Sequence, residues 1–281
     1  MSKLFNYKTI DVILEKFTRT VYLDLHAEKS DNLSLETLFE LEGLLAWLAG
    51  HVEINSVVVS STGESFSEGF DQQEISRMDT AKITTRHLKK LQKIVYGLFF
   101  LPQTIIFDLK KGASTHGFEL SLGADLRICD EEAIFENDHL KRGQVPACGG
   151  IGFLSLLMGP SFARNWTLGG EKICGHDLKT SGYILKTYAT NENRREVREK
   201  ILKSIKAQAP VARIQAKRSF LENLMPELDR SMVHEKNCAH ASFSTGDWKK
   251  YMQGENQNFC NPRELSKVLG EKSQSRQNDL S

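Results

Sequence analysis

The 281-residue chain lacks most of the features that would hold it together by anything but an ordinary hydrophobic core. Its cysteines (Cys129, Cys148, Cys174, Cys238 and Cys260) are scattered, odd in number and free of any C-x-x-C pair. That spacing argues against a disulfide scaffold or a structural zinc site and suits a reducing cytosol. The N-terminal stretch M-S-K-L-F-N-Y-K-T-I-D holds no apolar core of signal-peptide length. No uninterrupted apolar run approaches a membrane span, the nearest being Ile151–Gly159. Charge of one sign is missing too: 37 Lys and Arg against 36 Asp and Glu leave a formal +1, no reason to expect nucleic acid or a membrane surface as partner. There is no heptad seam, solenoid period or low-complexity block. The expectation is a soluble cytoplasmic protein of one large domain with an appendage.

What is present alternates between strand and helix signals. Residues 9–25 carry β-branched and aromatic residues in two bursts around Lys16–Arg19, a strand pair. Ser34 precedes Leu35, Leu38, Leu41, Leu44, Leu45 and Leu48, an amphipathic helix of about four turns. Ile54–Ser60 is a buried strand ending in the turn-rich loop S-T-G-E-S-F-S-E-G-F-D. A helix over 82–101 is stopped by Pro102, and a second buried strand covers 103–109. The segment 126–136 reads as strand, turn, strand, and 138–150 as loop. Helices follow at 151–158, 161–168, 196–208 and 211–223, with a mixed-polarity helical stretch from Glu227 to Met252. This order predicts an α/β core with a helical C-terminal region.

The stretch Lys111–Asp125, K-G-A-S-T-H-G-F-E-L-S-L-G-A-D, concentrates the candidate chemistry. Strand, small-residue turn and helix aim backbone N–H groups at one point and stabilise negative charge on an oxygen. An apolar helical segment opens at Phe118, which places Glu119 in a first turn; there the helix dipole favours a carboxylate with or without a catalytic role. The loop Ser65–Asp71 follows its strand in the same way, so two turns can present two amides to one oxygen.

Here the sequence resembles the crotonase (enoyl-CoA hydratase/isomerase) superfamily over about residues 5–255. The resemblance rests on Asp31-Asn-Leu-Ser34, Val57-Val-Val59 leading into Phe66-Ser-Glu-Gly69-Phe70-Asp71, Gly117-Phe-Glu119-Leu120 and Asp125-Leu-Arg-Ile128. It continues through Ala133-Ile-Phe135, Gly143-x-x-Pro146-x-x-Gly149-Gly150, Leu168-Gly-Gly170, Ala216-Lys217 and Phe243-Ser-Thr-Gly-Asp247. It implies a spiral of ββα repeats over 1–200 and a C-terminal helical oligomerisation region over 201–260; composition marks 261–281 as a polar, disordered tail. The resemblance also implies homotrimers or dimers of trimers, and the apolar anchors Phe243, Trp248 and Tyr251 suit burial against a neighbouring subunit.

The implied substrate is an acyl-CoA thioester, with coenzyme A as part of the substrate and neither cofactor nor metal required. The implied oxyanion donors are the backbone N–H groups of Phe70, after Gly69, and of His116. Relatives usually carry Gly-Gly-Gly where this chain has Thr115-His116-Gly117. His116 then reads either as a polar gate beside the thioester or as a histidine hydrogen-bonded in a tight turn. Glu119 takes the place of the first catalytic glutamate. The second is replaced: counting from Phe135 and back from Gly143 leads to His139, with Asp138 or no second group as alternatives. Gly69, Gly117 and Cys148 would line the substrate site, Cys148 as a small lining residue rather than a nucleophile. Lys29 either contacts the CoA phosphates or adenine, or is a solvated surface lysine. His234 and His240 read as exposed or interface positions, and the patch Asn193–Arg198 as a solvated helix start. Hydration or isomerisation of an acyl-CoA, another enolate reaction such as decarboxylation or thioester hydrolysis through His139, and a decayed acyl-CoA-binding protein all remain open.

Overall fold

The computed structural model describes residues 2–25 and 32–263. In chain order the strands are β1 (Ser2–Lys3), β2 (Asp11–Glu15), β3 (Thr20–Asp24), β4 (Asn32–Leu33), β5 (Ser56–Ser60), β6 (Gly69–Phe70), β7 (Thr104–Asp108), β8 (Gly112–Ser114), β9 (Leu126–Asp130), β10 (Ile134–Glu136), β11 (Lys172–Cys174) and β12 (Lys186–Tyr188). The helices are α1 (Leu35–Ala49), α2 (Gln72–Ser76), α3 (Thr80–Lys82), α4 (Lys89–Phe100), α5 (Thr115–Ser121), α6 (Gly152–Met158), α7 (Pro160–Gly169), α8 (Gly175–Thr180), α9 (Asn191–Ala207), α10 (Pro210–Ser244) and α11 (Asp247–Met252).

Seven strands form the main sheet in the order β1-β2-β3-β5-β7-β9-β12, parallel from β3 onward. Each central strand is followed by a short strand in a side sheet and then by helix: β3–β4–α1, β5–β6–α2, β7–β8–α5, β9–β10–α6. This is the expected spiral of ββα units. Period-2 alternation sets the two faces. Val57, Val59, Ile105 and Phe107 enter the main core, while Val58 and Ile106 point to the other face, under Leu202 and Ile205 of α9.

Ser34 caps α1, its Oγ accepting from Thr37 N at 3.1 Å. Helix α10 is docked to the sheet by a partly buried ion pair, Lys217 Nζ to Asp125 Oδ2 at 2.6 Å.

Several expectations are corrected. The helices expected at 211–223 and from 227 are one 35-residue helix, α10, which passes through Pro226. The segment 82–101 is α3, a π-helical turn over Ile83–Leu88, and then α4. Helix α5 starts at Thr115, so Glu119 lies beyond its first turn and the dipole argument for it lapses. The patch Asn193–Arg198 is not merely solvated: Arg194 Nε pairs with the fully buried Asp108 Oδ2 at 2.7 Å. Phe243 and Trp248 are buried within the single chain, which removes the reason drawn from them for a neighbouring subunit. Lys29 and the tail beyond 263 lie outside the described residues.

Candidate active site

The two loops expected to meet do so through close backbone contact. Phe66 N donates to Gly112 O at 2.8 Å and Ser114 N to Ser67 O at 3.0 Å, zipping 65–70 against 112–115. The contact leaves no room for side chains at two glycines. A Cβ on Gly69, whose φ is +99°, would lie 2.2 Å from Thr115 Oγ1 and 3.2 Å from His116 N. One on Gly117 would lie 2.4 Å from Ser67 O. Thr115 itself sits at φ 44°, unusual for a β-branched residue, and its Oγ1 donates to Glu68 O at 2.7 Å. Phe70 and His116 are thus neighbours, their rings stacked with centroids 4.0 Å apart at 18°.

Glu119 is fully buried. Its Oε1 accepts from Cys148 N at 2.6 Å and Gly150 N at 3.0 Å. Its Oε2 faces His139 Nε2 at 3.2 Å and His116 Nε2 at 4.0 Å. His139 is also fully buried, with Nδ1 2.9 Å from Asn137 Oδ1. Asn137 is oriented by its amide nitrogen, which donates to Thr167 Oγ1 at 2.8 Å and to the Gly150 carbonyl at 3.5 Å. Its oxygen therefore faces His139, and Nδ1 carries a proton. That leaves the Glu119–His139 contact with a proton to share: either the carboxyl donates to a bare Nε2, or a protonated imidazole donates to the carboxylate. A carboxylate and a lone pair in direct buried contact would repel, so one proton belongs to the pair.

His116 is buried, and its Nε2 has no hydrogen-bond partner among the described residues, which counts against a hydrogen-bonded turn histidine at that nitrogen. Burial pushes its pKa well below the ordinary histidine value, and His139, Arg142 and His87 add to the effect, so the ring is neutral. His87, from the π-helical turn, meets Phe70 edge-on at 5.3 Å and is likewise lowered by burial.

Asp138, the alternative to His139, accepts from Arg142 Nε at 2.7 Å through Oδ2, while its Oδ1 is buried without a partner among the described residues; the neighbouring Glu136 pairs with Lys172 at 2.7 Å. Cys148 contributes its amide to Glu119, while burial and then Glu119 push its thiol pKa well up, the opposite of an activated nucleophile. His234 and His240 are exposed.

Two participants escaped the sequence reading. Asn137 orients His139. Glu235 of α10 is buried and accepts from Gly149 N and Gly152 N, both at 2.7 Å, and from Ser231 Oγ at 3.2 Å. Burial and then the neighbouring Glu119 push its pKa up to about 7. The signal for it was there: Leu221, Leu228, Met232, Ala239 and Phe243 are the buried stripe of α10, and Glu235 is the carboxylate inside that stripe.

Comparison with known proteins agrees with this architecture. The profile of the enoyl-CoA hydratase/isomerase family matches residues 19–260. The chain is 25% identical over 247 residues to a crotonyl-CoA hydratase of Syntrophomonas wolfei, covering 86% of this chain and 93% of that one. It is 21% identical over 220 residues to a peroxisomal Delta(3,5)-Delta(2,4)-dienoyl-CoA isomerase of Arabidopsis thaliana, covering 74% and 79%. The crystal structure of an enoyl-CoA hydratase from Bacillus halodurans superposes with a TM-score of 0.80 at 20% identity, over 88% of this chain and 100% of that one.

Proposed function

The chain belongs to the enoyl-CoA hydratase/isomerase family, and from that premise we propose that it moves a proton along the acyl chain of an acyl-CoA thioester, the chemistry of double-bond isomerisation. The observation that carries this reading is the direct contact of Glu119 Oε2 with His139 Nε2 at 3.2 Å. The amides of Phe70 and His116 polarise the thioester carbonyl and hold the enolate oxygen. Glu119 in its ionised form takes the α or γ proton, and the pair returns a proton to the other carbon. Each transfer conserves the single proton that the pair holds between turnovers.

Hydration asks for more. A water must be held by two groups, one removing its proton and one supplying a proton to carbon. Two groups in direct contact leave no place for a water between them. Isomerisation is therefore favoured over hydration, and Asn137 supports it by keeping Nε2 directed at the carboxyl.

Glu119→Gln tests the reading on a 3-enoyl-CoA. Turnover should fall on the order of 10²–10⁴-fold, as for loss of a general base, with binding of butyryl-CoA retained. Unchanged turnover would move the chemistry away from Glu119. A wild-type protein that binds butyryl-CoA and turns over no 3-enoyl-CoA would leave an acyl-CoA-binding protein in place of an enzyme.

A further inference from the structure

Glu119 Oε2, His139 and His116 bring three electron-pair donors together in a buried space: among the described residues, one ligand atom from each lies within 4.8 Å of the others. The shared proton satisfies two of these groups. It leaves His116 Nε2 buried, 4.0 Å from the carboxylate and, among the described residues, without a partner. An orphaned polar atom in such a place carries a desolvation cost. One cation larger than a proton could satisfy all three donors.

We propose that His116, Glu119 and His139 form a binding site for one divalent transition-metal ion of the zinc class. Ligands on a tetrahedral zinc with bonds of about 2.0–2.1 Å stand roughly 3.3 Å apart. The Glu119–His139 separation of 3.2 Å already matches; His116 Nε2 has to close on Glu119 Oε2 from 4.0 Å, and the widest pair of the triad, which lies within 4.8 Å, by up to about 1.5 Å. The supporting contacts are those a metal site uses. Asn137 Oδ1 accepts a hydrogen bond from His139 Nδ1–H, which presents Nε2 as the ligand atom. The amides of Cys148 and Gly150 occupy Glu119 Oε1 and leave Oε2 as a single oxygen ligand. Two imidazoles and one carboxylate suit zinc, copper, nickel or ferrous iron rather than magnesium or calcium, which prefer all-oxygen sites. The three residues match no metal-binding sequence signature, and the site was not expected from the sequence.

Binding itself is the claim. One consequence rests on the acyl-CoA reading above: an ion on Oε2 and Nε2 occupies the two atoms that handle the substrate proton, so the loaded protein is inactive and a chelator restores it.

The test uses the full-length protein freed of metal with a chelator. Titration with Co²⁺ should give a one-to-one d–d spectrum without a thiolate-to-cobalt charge-transfer band, which distinguishes the triad from the cysteines. Zn²⁺ calorimetry in two buffers of different ionisation enthalpy should show one ion bound and about one proton released, the proton held by the Glu119–His139 pair. His116→Phe keeps the stack on Phe70 and removes the ligand nitrogen; it should weaken zinc at least tenfold without lowering the unfolding temperature of the metal-free protein. Glu119→Gln should weaken it similarly. Affinity unchanged in both variants, a charge-transfer band, or no binding at submillimolar Zn²⁺ overturns the proposal. Zinc bound at the triad of a protein without acyl-CoA turnover would retire the catalytic reading and keep the site; turnover without zinc binding would do the reverse.

Discussion

Glu119 and Glu235 hold one loop through alternating amides. Cys148 and Gly150 donate to Glu119, Gly149 and Gly152 to Glu235. The segment between Pro146 and α6 is thus positioned by two buried carboxylates from different parts of the chain, one on α5 and one on α10. Helix α10, through a residue 116 positions downstream of Glu119, thereby takes part in shaping the site.

That arrangement predicts a pH-dependent stability. The carboxyl of Glu235 is raised from 4.5 to about 7, chiefly by burial. A raised carboxyl contributes stability that is fully present below its unfolded value and lost as pH rises through the folded one. The loss amounts to something on the order of 3 kcal/mol between those limits. Glu235→Gln removes the titration, although it costs one of the two amide bonds. Urea unfolding from about pH 4.5 to 8 should show wild-type stability falling relative to the variant. A constant difference across that range would contradict the assignment.

Asn137 is a positioning residue, and its removal should be legible as such. Asn137→Leu deprives His139 Nδ1 of its acceptor. The ring is then free to lose its Nδ1 proton and to rotate, so that Nε2 is no longer held on Glu119. Turnover should fall by less than the 10²–10⁴-fold of losing the base itself. Nitrogen-15 spectra should show the Nδ1–H form of His139 replaced by a tautomer mixture. An unchanged tautomer with lowered turnover would assign Asn137 a packing role instead.

Gly69 can be tested for binding alone. A Cβ there meets Thr115 Oγ1 at 2.2 Å, and the positive φ of +99° adds strain for a β-branched residue. Gly69→Val should push the Phe70 loop from His116 and abolish butyryl-CoA binding by calorimetry. Equal affinity before and after would place the thioester elsewhere.

Much of this was legible beforehand because local patterns and tertiary fate agreed. The strand pair around Lys16–Arg19, the amphipathic helix after Ser34 and the two strand-to-glycine turns all fell where periodicity and turn chemistry put them. Glu119 and His139 met as motif spacing implied. The misses are long-range. Pro226 removes one backbone hydrogen bond, a cost that helix α10 absorbs because Leu221, Leu228 and Met232 dock it on both sides of the break. Arg194 looks solvated until Asp108, 86 residues away, is placed beneath it. Phe243 and Trp248 look like interface residues until the chain folds over them. Asn137 carries no motif, since its role exists only once His139 needs an acceptor.

The sharpest prediction concerns the residue by which this chain departs from the glutamate pair of the hydratases it resembles. His139→Glu would set a second carboxyl against Glu119. Two buried carboxylates in contact cannot both ionise, so one takes up a proton and the other stays charged, an acid and a base with separated pKa values. A carboxyl is smaller than an imidazole and would leave the space of the ring for a water. Asn137 could turn its amide nitrogen toward the new side chain. Crotonyl-CoA hydration, followed by loss of the enoyl absorbance, should therefore rise above wild type, while isomerisation of a 3-enoyl-CoA falls. His139→Gln is the control: it opens similar space but has no proton to exchange, and should gain no hydration. Retained butyryl-CoA binding in both variants separates chemistry from misfolding. If the glutamate variant binds butyryl-CoA yet hydrates no faster than wild type, the pair is not what keeps hydration low. If wild type already hydrates crotonyl-CoA rapidly and His139→Gln does so equally well, the water is activated without His139, and the proton pair proposed here does not carry the reaction.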